Sequence, residues 1–179
     1  MEGYASIVGG KMNIQNIQIS NIPAILWGEK SERLIIAVHG NMSSKTDVPI
    51  AILAEEATSL GYRVLSFDLP EHGDRKNDPT LCKVQNCVEE LSKVMNYAKV
   101  QASSISLMAI SMGAYFSLLS YKDFSLEQCL FLSPVVNMQH IIENMMAWFH
   151  ISEEQLLEEQ IVETPVGQTL YWDYYHYVK

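Results

Sequence analysis

Apolar residues fall into two alternating textures along the chain. Leu34-Ile35-Ile36-Ala37-Val38, Val64-Leu65-Ser66-Phe67, Ile105 to Ile110 and Cys129-Leu130-Phe131-Leu132 are short, nearly unbroken apolar runs. Runs of that length with both alternate positions apolar predict strands buried on both faces, as in a parallel sheet. Between them the apolar residues recur every three or four positions. Ile50, Leu53, Ala54, Ala57 and Leu60 form one such stripe, and Gly61 stands where a helix ends. Val84, Cys87, Val88, Leu91, Val94, Met95 and Ala98 form a second, and residues 111–121 a third helix. Upstream, residues 14–27 predict two short strands turning near Asn21-Ile22-Pro23. Strand and helix in this rhythm predict an α/β domain with a mostly parallel sheet and helices on both faces.

After Val135 the rhythm stops. Met138, Ile141, Ile142, Met145, Met146 and Phe149 are helically spaced, Ser152 and Gln155 have the spacing of a capping box, and 170–178 is dense in aromatics. No further strand is predicted there. The division expected is an α/β core over 1–135 and a helical segment over 136–179.

Composition narrows the function. With 12 Lys and Arg against 21 Asp and Glu, the net charge is −9. A chain with no basic cluster is not built to hold phosphate backbones, so nucleic acid is not an expected partner. No apolar run reaches the ~20 residues that span a bilayer, and the first dozen residues lack a basic and apolar leader. Three cysteines, Cys82, Cys87 and Cys129, fit free thiols in a reducing, cytoplasmic setting. The five-residue step from Cys82 to Cys87 matches neither a zinc nor a C-x-x-C redox pair. No metal or cofactor is expected.

The chemistry concentrates at strand ends. Ala109-Ile110-Ser111-Met112-Gly113 joins a predicted strand to a predicted helix. A serine there is exposed on a tight turn that needs small residues two positions either side, and alanine replaces the first glycine of G-x-S-x-G. Ser111 also meets the amides and positive end of the next helix, where developing negative charge is favoured. The competing reading is an ordinary serine N-cap. His39-Gly40-Asn41-Met42-Ser43-Ser44 follows the strongest strand; the backbone amide of Asn41, or less readily of Met42, together with that of Met112, would complete an oxyanion hole. His39, His72 and Asp74 are read as ordering groups rather than catalysts.

Taken in order, His39-Gly40, the Asp68-Leu69-Pro70-Glu71-His72-Gly73-Asp74-Arg75 stretch and Ala-Ile-Ser-Met-Gly resemble the α/β-hydrolase superfamily, closest to small esterase, lipase and acyl-aminopeptidase-like members, over residues 15–135. The resemblance implies a serine hydrolase acting on a small or medium acyl ester through an acyl-enzyme on Ser111, and a cap formed by 136–179. It also implies a triad whose acid and histidine follow the serine in the chain. The downstream histidines, His140, His150 and His176, all fall in the cap, and Leu132-Ser133-Pro134-Val135-Val136-Asn137 holds no carboxylate. Asp173 and His176 lie three apart on one helical face. The expectation is therefore a hydrolase core lacking its C-terminal part, nearly inactive alone, with an open sheet edge suited to homo-oligomer contact. A catalytically inactive binding module on the same scaffold is the alternative. Dehalogenase chemistry is weaker, because that chemistry places an aspartate where Ser111 stands.

Overall fold

A computed structural model describes residues 12–179. Six strands form one sheet in the order β1-β2-β4-β3-β5-β6. β1 (Ile14–Ile19) and β2 (Ile22–Trp27) make a hairpin through Ser20 and Asn21, and β2 runs antiparallel to β4 (Arg63–Phe67). β4, β3 (Arg33–Val38), β5 (Ser104–Ile110) and β6 (Cys129–Leu132) are parallel.

Alternation within each buried strand assigns its two faces. Leu34, Ile36 and Val38 of β3, with Leu65 and Phe67 of β4 and Leu107 and Ala109 of β5, share one core cluster with α2 (Val84–Gln101) and α3 (Met112–Tyr121). Ala37, Val64 and Met108 point the other way, under α1 (Val48–Ser59). The helices are cut where the sequence places its stops. Gly61 takes φ +78, and the Tyr62 and Gly61 amides donate to the Ala57 and Thr58 carbonyls at 3.0 Å each, a Schellman ending.

Topology then positions a site. The chain leaves β3 towards β4 on one side and leaves β5 towards β6 on the other. The crevice beyond the C-terminal ends of β3 and β5 is the switch point, where open α/β sheets bind ligands.

Beyond β6 the chain forms α4 (Met138–Trp148), α5 (Glu153–Glu159), a two-stranded hairpin of β7 (Ile161–Glu163) and β8 (Thr169–Tyr171), and α6 (Trp172–Val178). The hairpin corrects the expectation of helices alone; three-residue strands are too short to show a period of two. Ser152 caps α5 by accepting from the Gln155 amide at 3.0 Å, but the Gln155 side chain turns to Glu159 instead of closing the box. Met138, Met146, Tyr174 and Tyr175 are buried in the main core cluster, so they pack the segment onto the domain. Lys179 and the Tyr175 hydroxyl, both contacting Glu153, tie α6 to α5. Among the described residues no helix is long and apolar enough to cross a membrane.

Candidate active site

Ser111 lies between the last residue of β5 and the first of α3, at φ 50 and ψ −117. An L-residue is held in such backbone geometry at a cost of about 1–3 kcal/mol, and only where its surroundings over-determine it. Here they do. The Ser111 amide donates to the Leu132 carbonyl at 3.0 Å, and its carbonyl accepts from Ala114 and Val135 at 3.1 Å. Two glycines let backbones close around the turn. A Cβ on Gly113 would stand 2.2 Å from the His39 carbonyl oxygen, and one on Gly40 would stand 3.1 Å from the Ser111 Cβ.

The Ser111 hydroxyl makes no capping bond to its helix, which removes the ordinary N-cap reading. Met112 supplies the first amide of α3, one of those a helix leaves unpaired. Asn41 follows Gly40 directly, in the loop whose Gly40 packs against Ser111. Met42 turns out to solvent at φ 56 and is 89% exposed.

A buried charge cluster holds that loop. Asp68 is fully buried at the end of β4; its carboxylate accepts from the Lys45 amide at 2.8 Å, from Lys45 Nζ at 2.6 Å and from the Asp74 amide at 3.0 Å. Lys45 Nζ also reaches Asp74 at 2.6 Å. Burial alone would lower the Lys45 pKa, but its two carboxylate partners leave it raised. Gly73 has φ +55 beside this cluster, and a Cβ there would fall 2.2 Å from the Asp68 carboxylate. Next to it Arg75 forks onto Glu90, both buried, at 2.6 and 2.9 Å, and also meets Asp78.

His39 is fully buried. Its Nε2 accepts from the Leu69 amide at 3.0 Å, so Nδ1 carries the proton and donates to the Gly40 carbonyl at 2.7 Å. Desolvation pushes its pKa down to about 4. With both nitrogens committed, His39 fastens the loop and cannot take a proton from Ser111. His72 has a matching post: Nδ1 faces the Pro70 carbonyl at 2.7 Å and Nε2 faces the Asn41 side-chain oxygen at 3.1 Å. Burial would lower its pKa, yet Cys82, Pro70 and Glu71 outweigh that and leave it raised. Asn41 Nδ2 in turn donates to Gln168 at 3.3 Å, so the β7–β8 hairpin reaches over this loop.

Gly40, the residue before Asn41, is thus brought against Ser111, which Met112 follows in the chain. The downstream candidates are not. His140, His150 and His176 are exposed, His176 stacks on Trp172 with centroids 5.8 Å apart, and Asp173 pairs with Lys83 at 2.9 Å. Among the described residues no histidine is hydrogen-bonded to the Ser111 hydroxyl, and no group of three His, Cys, Asp or Glu gathers to hold a metal.

No family model matches the chain, and no curated protein matches it. Solved structures do. The fold is that of the α/β-hydrolases. Est1E from Butyrivibrio proteoclasticus, with ferulic acid bound, is similar at TM-score 0.73 and 18% identity over 92% of this chain and 70% of its own. The Pyrococcus furiosus esterase Pf2001 is similar at TM-score 0.59 and 20% identity over 86% and 63%. TT1662 from Thermus thermophilus is similar at TM-score 0.55 and 22% identity over 68% and 56%. The chain therefore spans 56 to 70% of the length of these α/β-hydrolase-fold structures.

Proposed function

We propose that this chain carries the nucleophile half of a serine hydrolase that cleaves small or medium, uncharged acyl esters. The observation that carries the reading is Ser111 itself: it sits on a strand-to-helix turn at φ 50, at the C-terminal end of β5 beside the switch point, and its hydroxyl makes no bond to its own helix. Ser111 Oγ attacks the acyl carbonyl while a base takes its proton. The Asn41 and Met112 amides hold the resulting oxyanion, and collapse expels the alcohol and leaves the acyl-enzyme. Water then releases the acid. The esterase name of Pf2001, and the ferulic acid bound to Est1E, are consistent with acyl chemistry on this scaffold. The segment over 136–179 serves as the cap. His39 and His72 are both committed to loop contacts, so neither serves as that base.

The 179-residue chain is expected to hydrolyse p-nitrophenyl acetate no faster than its Ser111→Ala variant, because an unactivated hydroxyl leaves only residual catalysis. Turnover well above that control would overturn the reading that no base reaches Ser111. Once a base is supplied, a fluorophosphonate probe is expected to label Ser111. Failure to label there favours the second reading, a non-catalytic binding module, which rests on the absence of a histidine at Ser111 among the described residues. We also propose that the open β6 edge, where Leu130 is 51% exposed beside a groove of about 580 Å³ lined by Ile35, Leu53, Met108 and Cys129, pairs with a second copy.

A further inference from the structure

The step of five between Cys82 and Cys87 matches no redox motif, yet the fold sets the two sulfurs 3.8 Å apart. Cys87 is buried in the first turns of α2, and Cys82 sits partly exposed in the irregular segment just before that helix. Their surroundings are not those of inert core thiols. His72 lies against Cys82, and Glu71 accepts from the Cys82 amide at 2.6 Å. Tyr171 and Tyr174 of the C-terminal elements lie within electrostatic reach of Cys82, and the charges of Glu90 and Arg75 act on Cys87. The Tyr174 hydroxyl is buried with no hydrogen-bond partner and lies within electrostatic reach of both sulfurs.

We propose that Cys82 and Cys87 form a dithiol site for hydroperoxides, Cys82 attacking and Cys87 resolving, which closes to an intramolecular disulfide. The Cys82 thiolate attacks one peroxide oxygen and the O–O bond breaks; the departing hydroxide takes a proton and leaves as water. Cys82 becomes a sulfenic acid. The Cys87 sulfur then attacks the Cys82 sulfur, the S–O bond breaks, and the second water leaves with the Cys87 proton. The two thiols lose two electrons together and the peroxide gains them. The buried, unpartnered Tyr174 hydroxyl is a proton donor within electrostatic reach of both sulfurs. Closing to the ~2.05 Å of a disulfide needs less than 2 Å of movement, and the non-helical Cys82 segment is the side free to supply it.

The charge arrangement supports the assignment of roles. The Cys87 thiol hydrogen-bonds to Cys82 and His72 stands beside it, which together bring Cys82 down to about 6. Burial pushes Cys87 up, so it keeps its proton until the second step. At pH 7 such a thiol has roughly thirty times the thiolate of an ordinary one. Its lower basicity reduces nucleophilicity about tenfold or more. The net advantage is about two- to threefold in rate, so the pH profile discriminates better than the rate itself.

The experiment uses the Cys129→Ser chain, which removes the exposed third thiol, and does not depend on what Ser111 does. Dilute hydrogen peroxide is expected to lower the intact mass by two hydrogens and remove both Ellman-reactive thiols, and dithiothreitol should restore them. In Cys129→Ser/Cys87→Ala, dimedone should trap a sulfenic acid on Cys82. Should that variant fail to fold because Cys87 is buried, the parent's pH profile decides alone: its reaction with peroxide should level off above pH about 7, whereas Cys129 in Cys82→Ser keeps accelerating towards pH 9. Two thiols surviving peroxide, disulfides only between chains, or a Cys82 rate still climbing past pH 8 overturns the proposal.

Discussion

Replacing Ser111 by alanine and, separately, by glycine isolates the energy stored in its turn. The Ser111 hydroxyl caps nothing, so Ser111→Ala removes no hydrogen bond and keeps a Cβ at φ 50. Its stability should stay within about 0.5 kcal/mol of the parent. Glycine removes the Cβ that makes this φ costly, recovering most of about 1–3 kcal/mol. Against this, glycine loses more backbone freedom on folding, about 0.5–1 kcal/mol relative to alanine. Ser111→Gly should therefore exceed Ser111→Ala by roughly 0.5–2 kcal/mol, a rise of about 2–4 °C in Tm for each kcal/mol at this chain length. Thermal and urea melts followed by circular dichroism measure the difference, and both variants should fail to react with a fluorophosphonate once a base is supplied. If Ser111→Ala proves as stable as Ser111→Gly, the turn is not held at positive φ by its neighbours, and the strained-nucleophile reading is refuted.

The buried His39 makes stability fall with acid. Its folded pKa of about 4 lies below the unfolded value of 6.5, so the unfolded state binds more protons between those limits and folding weakens as pH drops through that window, by up to about 3 kcal/mol from this group. His72 has the opposite sign, since its raised pKa makes its contribution present at low pH and lost as pH rises through the folded value. Urea midpoints from pH 7 to 4.5 should fall less steeply in His39→Gln; an unchanged slope rules His39 out as the source. Arg75→Ala leaves the buried Glu90 without its fork and should cost about 3–5 kcal/mol in urea unfolding, well beyond a surface substitution. Leu130→Lys on the β6 edge should shift the chain towards monomer in sedimentation velocity; a parent already monomeric at high concentration, or a variant that still associates, removes the edge from the interface.

Fold class was legible because burial leaves a periodic trace. A strand covered on both faces must be apolar at every position, as at Leu34–Val38, and a helix covered on one side must be apolar every third or fourth. The turn at Ser111 was legible for a related reason: a strand-to-helix turn this tight tolerates only small neighbours, and Ala109 and Gly113 record the constraint. The β7–β8 hairpin left no such trace, because three-residue strands offer one inward side chain each. The same holds for the polar contacts. Nothing local distinguishes Asp68 from other loop aspartates; its value comes from Lys45, 23 residues earlier, and Asp74, which meet it only once β3 and β4 lie side by side. The bonds that make His39 an ordering group, from the Leu69 amide and to the Gly40 carbonyl, form only in the folded chain.

By itself the sequence determined the order of strands and helices as far as β6, the mostly parallel sheet they build and the strand-to-helix turn at Ser111, because those follow from spacing along the chain. Tertiary structure alone decided which histidines are spent on holding loops, that Asn41 is bridged to His72 and the hairpin, and that two thiols five residues apart face each other. Those depend on distances between segments remote in sequence or on how a loop folds against a helix, and hydrophobic periodicity carries no information about either.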